Sequence, residues 1–176
     1  MSYIVVDVEA DGPIPNDYSI VCFGAVIVEK TLSKTYYGDI KPISDKWIPD
    51  ALAVSGFSRE EHMKFGNPEV VMDEFAKWIN VNSIGKPTFI SDNPAFDWQW
   101  INYYMHKYCG DNPFGFSARR IGDLYCGLMK DAGVNREWKK RFRKTHHTHN
   151  PVDDAMGNAE ALLAFRDKLG LKISFK

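Results

Sequence analysis

The chain opens on Tyr3-Ile4-Val5-Val6-Asp7-Val8-Glu9, a branched apolar run interrupted twice by acids. Val and Ile at this density predict a buried strand, and side chains two apart on a strand point the same way. Ile4, Val6 and Val8 therefore share one face, and Asp7 and Glu9 share the other. From Ala10 to Asp17 the residues are mostly Asp, Gly, Pro and Asn, which predicts an irregular loop with Asp11 and Asp17 as turn residues. Ser19 to Glu29 and Thr35 to Ile40 are β-rich runs joined by a short polar connection, and together with the first strand they predict an antiparallel meander. Pro42 and Pro49 break the next stretch, and residues 50–64 read as a short helix and loop pair around Gly56.

The second half changes period. Asn67-Pro68-Glu69 is a cap, a Pro at the first helical position and an acid in the first turn, followed by Val70, Val71, Phe75, Trp78 and Ile79 at helical spacing. Pro87 to Ser91 predicts a short buried strand, and Asn93-Pro94 starts a helix to about Lys107. Ile121 to Tyr125 reads as a last strand or strand end leading into a helix through Met129, and 135–143 as a polar, basic stretch compatible with a helix. Pro151 to Leu169 predicts a final helix with Val152, Met156, Ala159 and Leu163 on its apolar face. A meander followed by alternating helices and strands predicts an α/β fold, a central mixed sheet flanked by helices, in one domain spanning 1–176.

Composition narrows this picture only in places. A formal net charge of −1 excludes coating a polyanion by bulk electrostatics, so any such contact must come from a local patch or a bound cation. Cys22, Cys109 and Cys126 are widely spaced and read as reduced, buried thiols. No apolar run is long enough to cross a bilayer and no signal-like N-terminus precedes the first strand, so the expected location is cytoplasmic.

The candidate chemistry begins with Asp7 and Glu9. Two carboxylates about 7 Å apart on one strand face, partly desolvated, raise each other's pKa or recruit a divalent cation that prefers hard oxygen ligands. The 88–91 strand should lie beside the first and deliver Asp97, one turn into the following helix, to the same edge; Asp92 competes for that role. With Asn150 as cap of the final helix, His149 and Asp154 occupy the two positions that a hydrophobic staple brings together. An imidazole and a carboxylate there suit proton transfer beside a metal ligand, whereas Asp153 falls where an acid closes a capping box. His146 and His147 have no such partner. Arg136, Lys139, Lys140, Arg141, Arg143 and Lys144, interleaved with Trp138 and Phe142, read either as a strand-binding segment, with Lys139 and Arg143 foremost, or as a solvated face. Ala10 and Phe57 are the candidate surfaces for a terminal base, while Trp78, Trp98 and Trp100 read as core.

Asp7-Val8-Glu9, Asn93-Pro94-Ala95-Phe96-Asp97 and His149-Asn150-Pro151-Val152-Asp153-Asp154-Ala155 resemble, in this order, the three motifs of the DEDDh family of 3′ to 5′ exonucleases. The resemblance spans nearly the whole chain. It implies a ribonuclease H-like fold, two Mg²⁺ or Mn²⁺ ions held by Asp7, Glu9, Asp97 and Asp154, and His149 as general base. It implies release of nucleoside 5′-monophosphates from the 3′ end of a single strand, and it suggests a homodimer. The short chain is similar to the family's small exoribonucleases of the oligoribonuclease kind, which favours RNA over DNA. The alternatives are a 3′ to 5′ exodeoxyribonuclease in repair or proofreading, an inert nucleic-acid-binding module of the same fold, and a ribonuclease H-type endonuclease, which has no need of His149.

Overall fold

A computed structural model of the chain describes residues 1–173. Its centre is a five-stranded sheet of order β3-β2-β1-β4-β5. The strands are β1 (Ser2–Ala10), β2 (Ile20–Ile27), β3 (Thr35–Asp39), β4 (Pro87–Ser91) and β5 (Ala118–Arg120). β1 to β3 form the expected antiparallel meander, and β4 and β5 continue it in parallel on the other side of β1. The helices are α1 (Pro49–Val54), α2 (Arg59–His62), α3 (Pro68–Asn82), α4 (Pro94–Cys109), α5 (Ile121–Met129), α6 (Glu137–Phe142) and α7 (Pro151–Leu169).

The period-two alternation of β1 sorts the core into two layers. Ile4, Val6 and Val8 pack with Phe23, Phe75, Phe89, Trp100 and Tyr104 under α3 and α4. Val5 packs on the other side with Ile90, Tyr125, Trp138 and Phe165 under α5 to α7. Asp7 and Glu9 continue Val5's face, so they stand under the start of α7. Trp100 is fully buried, and Trp78 and Trp98 pack partly buried against the first layer.

Three local expectations are corrected. β5 occupies Ala118–Arg120, and Ile121, read as a strand residue, instead begins α5. A strand at the sheet edge tolerates charged side chains such as Arg119 and Arg120, so it carries little of the apolar signal that marks a buried strand. The buried face of α7 is Asp154, Ala155, Asn158, Ala161, Leu162 and Phe165 along with Ala159; Val152, Met156 and Leu163 sit half-buried at its flanks. Close approach selects that face. Gly24 of β2, which pairs with Asp7 across the ladder, has no side chain, and the backbone of Pro151 and Val152 occupies the place a Cβ would take. Asp153 does not close a capping box. Asn150 caps α7 through the Val152 amide at 3.0 Å, and Asp153 accepts from the Thr148 hydroxyl at 3.1 Å.

Candidate active site

The start of α7, pressed on Gly24, sets Asp154 over β1. Asp7, Glu9 and Asp154 each present a carboxylate oxygen, all within 4.8 Å of one another. Asp97 reaches the same edge from the first turn of α4, where β4 lies parallel to β1, and its Oδ1 accepts from the Val8 amide at 3.2 Å. It lies outside the group of three but close enough for its charge to act on Asp7. Asp92 is excluded from the group, since its carboxylate pairs with Lys139.

Electrostatics match this crowding. Burial, then the charges of Asp97, Asp154 and Glu9, hold the Asp7 carboxyl well above the usual carboxylate range, with Arg143 acting in the opposite direction. Burial pushes Glu9 up to about 7 despite the countering His149, and burial pushes Asp97 up to about 7. A desolvated group of oxygen donors with raised pKa values is a site that a divalent cation would relieve, and hard oxygen ligands fit Mg²⁺ or Mn²⁺.

In the metal-free protein the folded state keeps a proton on Glu9 up to about pH 7, whereas the unfolded chain releases it near the ordinary 4.5. Stability from this group is therefore highest below 4.5 and falls as pH rises towards 7. A Glu9→Gln variant escapes the fall, so in EDTA its advantage over the parent should grow between pH 5 and 7.5 to on the order of 2 kcal/mol. Thermal melts at a series of pH values check this; parallel curves would show that Glu9 feels no such environment.

His149 approaches from the loop before α7. Its Nδ1 lies 3.5 Å from Glu9 Oε1, and its side chain is half exposed. It meets Asp154 through its backbone, the His149 amide donating to Asp154 Oδ2 at 3.0 Å, and its φ of 60° places it in the left-handed region. The staple geometry thus brings the two residues together while freeing the ring to turn to Glu9. His147, given no partner from sequence, has one: its Nδ1 lies 2.7 Å from Asp154 Oδ2.

The expected strand-binding residues are redistributed. Arg143 donates to Asp154 Oδ1 at 2.9 Å and is nearly buried, running across Gly157, where a Cβ would collide with the guanidinium. It is an internal counter-charge to the acids. Lys139 is held by Asp92, and Trp138 is buried in the second core layer and offers no stacking surface, while Phe142 packs half-buried against that layer and lines a surface cleft with Arg141 and Lys144. Lys140 and Lys144 remain exposed. Phe57 packs edge-on to Phe65 at 4.9 Å. It does not line the cleft beside the acids, a space of about 360 Å³ between Glu9, Ala10, Ile48, Ala51, Val54 and Phe96. Ala10 lines this cleft, and the ring in it is Phe96. Its position next to Asp97 in the second motif was the available signal.

The far wall of that cleft is anchored by Asp11. Read as a turn residue, it is fully buried, and its Oδ2 takes Arg59 Nη1 at 2.8 Å. Its carbonyl accepts the Ile48 amide at 2.8 Å, and Arg59 also donates to the Ser44 carbonyl at 2.9 Å. This fastens the α1–α2 segment to the end of β1.

Comparison with known proteins agrees with the architecture. Residues 2–165 match the family model of the 3′-5′ exoribonuclease Rv2179c-like domain. The chain is 37% identical over 180 residues to the 3′-5′ DNA exonuclease Cap18 of Escherichia coli, covering 97% of this chain and 94% of that one. Among solved structures it resembles cell-death related nuclease 4 (CRN-4), with a TM-score of 0.72 at 15% identity over 94% of this chain and 64% of that one. It also resembles a 3′-exonuclease described for 3′-end specific recognition of histone mRNA stem-loop, with a TM-score of 0.75 at 15% identity over 98% and 66%. At such identities the two structures speak for the fold alone, and this chain spans about two thirds of each. Among the described residues no helix is long and apolar enough to cross a membrane. A ribonuclease H-like sheet with acids gathered at β1, together with the match over residues 2–165, establishes that the chain belongs to the Rv2179c-like family and is a 3′ to 5′ exonuclease of the DEDDh type.

Proposed function

We propose that the protein removes nucleoside 5′-monophosphates one at a time from the 3′ end of single-stranded nucleic acid, with two Mg²⁺ or Mn²⁺ ions as cofactors and RNA as the preferred substrate. The observation that carries this reading is the convergence of Asp7, Glu9 and Asp154 within 4.8 Å, with Asp97 alongside and His149 3.5 Å from Glu9. Asp7, Glu9, Asp97 and Asp154 would hold the ions, which when bound supply charge neutralisation at the scissile phosphate and a more acidic water. The chain's own residues do the rest. His149, with Nδ1 towards Glu9, offers Nε2 to take the proton of the attacking water as the P–O3′ bond breaks. The water oxygen stays on phosphorus and leaves with the released 5′-monophosphate, and the departing O3′ takes a proton from solvent to become the 3′-hydroxyl of the shortened strand. Ala10, Ile48, Val54 and Phe96 give the terminal nucleoside an apolar seat with an aromatic face.

Preference for RNA is supported by the family description and by Glu9, a carboxylate on the rim of the seat able to accept from a 2′-hydroxyl. A second reading, DNA, is favoured by the 37% identical relative and by the otherwise apolar lining, which offers a 2′-hydroxyl few other side-chain partners. The test is to incubate 5′-labelled single-stranded RNA and DNA of equal sequence with Mn²⁺ or EDTA. A ladder of stepwise shortening in Mn²⁺ alone, faster on RNA, is expected. Internal cuts would indicate an endonuclease, and a mobility shift without shortening an inert binder.

The polynucleotide beyond the terminal residue needs cations that are free to meet it. Lys140 and Lys144 are exposed, and Lys144 shares a cleft with Lys30, Arg141 and Lys168. A Lys140→Glu/Lys144→Glu double variant should weaken binding of a long single strand and reduce the slope of log affinity against log salt by about 1.4, at roughly 0.7 for each phosphate no longer neutralised. An unchanged slope would return the segment to a solvated face.

A further inference from the structure

The loop before α7 carries a second donor set, different in kind from the four carboxylates. His147, His149 and Asp154 present ring nitrogens and a carboxylate oxygen within 4.8 Å of one another. The two imidazoles lie 4.4 Å apart between ring centres, both half exposed, over a nearly buried Asp154. The arrangement is built into the loop. Thr148 donates to Asp153 at 3.1 Å, the Asn150 amide donates to Thr148 Oγ1 at 3.2 Å, and the His149 amide donates to Asp154 at 3.0 Å. Arg143 fixes the other oxygen of the same carboxylate at 2.9 Å, so Asp154 cannot swing away.

Two imidazoles and one carboxylate are a poor set for Mg²⁺, which demands octahedral oxygen coordination, and a good one for Zn²⁺ and similar borderline ions. Zinc takes nitrogen at 2.0–2.1 Å and carboxylate oxygen at 2.0–2.2 Å, commonly from three protein ligands with a fourth position open. Those lengths put tetrahedral ligand atoms roughly 3.4 Å apart. His147 Nδ1 and Asp154 Oδ2, now 2.7 Å apart, need to separate only slightly, and the half-exposed rings can supply that movement.

We propose that His147, His149 and Asp154 form a binding site for one Zn²⁺ or chemically similar ion, and that its occupancy inhibits the enzyme. Inhibition rests on the function proposed above, because the ion would occupy both the imidazole assigned as base and a carboxylate assigned to the catalytic cations. Binding does not rest on it. His147 is outside the three exonuclease motifs, so the site is a property of this chain's loop.

The experiment has two arms. In the first, metal-stripped protein is titrated with Zn²⁺ against a chromophoric chelator. The parent is expected to show a zinc-binding step that His147→Gln weakens about tenfold or more and His146→Gln leaves as in the parent, whatever further zinc the carboxylates take up. Circular dichroism shows that each variant is folded. In the second, Mg²⁺-supported shortening of a labelled strand is followed with added Zn²⁺, each rate divided by the same protein's zinc-free rate. The parent should be inhibited, and His147→Gln should need about tenfold more Zn²⁺ for the same loss. Equal zinc affinity in parent and His147→Gln, or equal weakening in the His146 control, overturns the site. Binding that depends on His147 without inhibition overturns the inhibitory role. If the parent shows no activity with Mg²⁺, the proposed function fails while the chelator arm still decides the zinc site.

Discussion

Asp7→Asn is expected to lower turnover by about 10³-fold or more, a loss of roughly 4 kcal/mol of transition-state stabilisation, while the metal-free protein melts at a higher temperature than its parent. The two effects have one cause. Asp7 lies at the middle of the acids, where burial and the charges of Asp97, Asp154 and Glu9 all resist its ionisation. Asn keeps the shape and removes the charge, so the fold no longer bears that strain, and an increase of several degrees is reasonable at about 2–4 °C per kcal/mol for a chain of this size. The same change removes a donor from the site that would hold the cations, so the parent's stabilisation by Mn²⁺ should shrink in the variant. Melting curves with and without Mn²⁺, paired with the labelled-strand assay, read both effects. An active Asp7→Asn enzyme would refute the assignment of the acids.

His149→Asn is expected to cost about 10²- to 10⁴-fold in kcat, the range for loss of a positioned general base, with little change in KM. The choice of Asn matters. With φ at 60°, position 149 lies where most side chains are strained, and Asn tolerates that region better than Ala. The amide that donates to Asp154 is retained. Stabilisation by Mn²⁺ should persist, which separates loss of a base from loss of the metal site. A variant of near-normal kcat would leave the proton to another acceptor.

Much of this was legible in the sequence because it is local. The alternation of β1 separates Ile4, Val6 and Val8 from Asp7 and Glu9, and the structure puts α3 and α4 on one side and α7 on the other. Cap-plus-Pro pairs mark the starts of α3, α4 and α7, although Asn93 makes no side-chain cap bond. What was not legible depends on partners distant in the chain. Arg143 and Lys139 look available to a polyanion until Asp154 and Asp92 are seen holding them. Asp11 looks like a turn residue until Arg59, 48 positions later, is seen beneath it. Phe57 and Phe96 carry the same ring, and only the packing of Phe65 on one and the cleft beside the other distinguishes them. The buried stripe of α7 lies a residue or so from the one its large apolar side chains mark, because its tightest approach to the sheet is made by small side chains.

That approach makes position 24 a gauge for the whole catalytic arrangement. The helix that brings His149 and Asp154 rests on a spot from which a methyl group is missing. Even alanine there would act as a shim, lifting the helix and widening the gap between acids that lie far apart along the chain. A library randomised at this one codon should retain folded members whose sheet is intact yet whose nuclease is silent, a class of lesion that damages neither the core nor any acid.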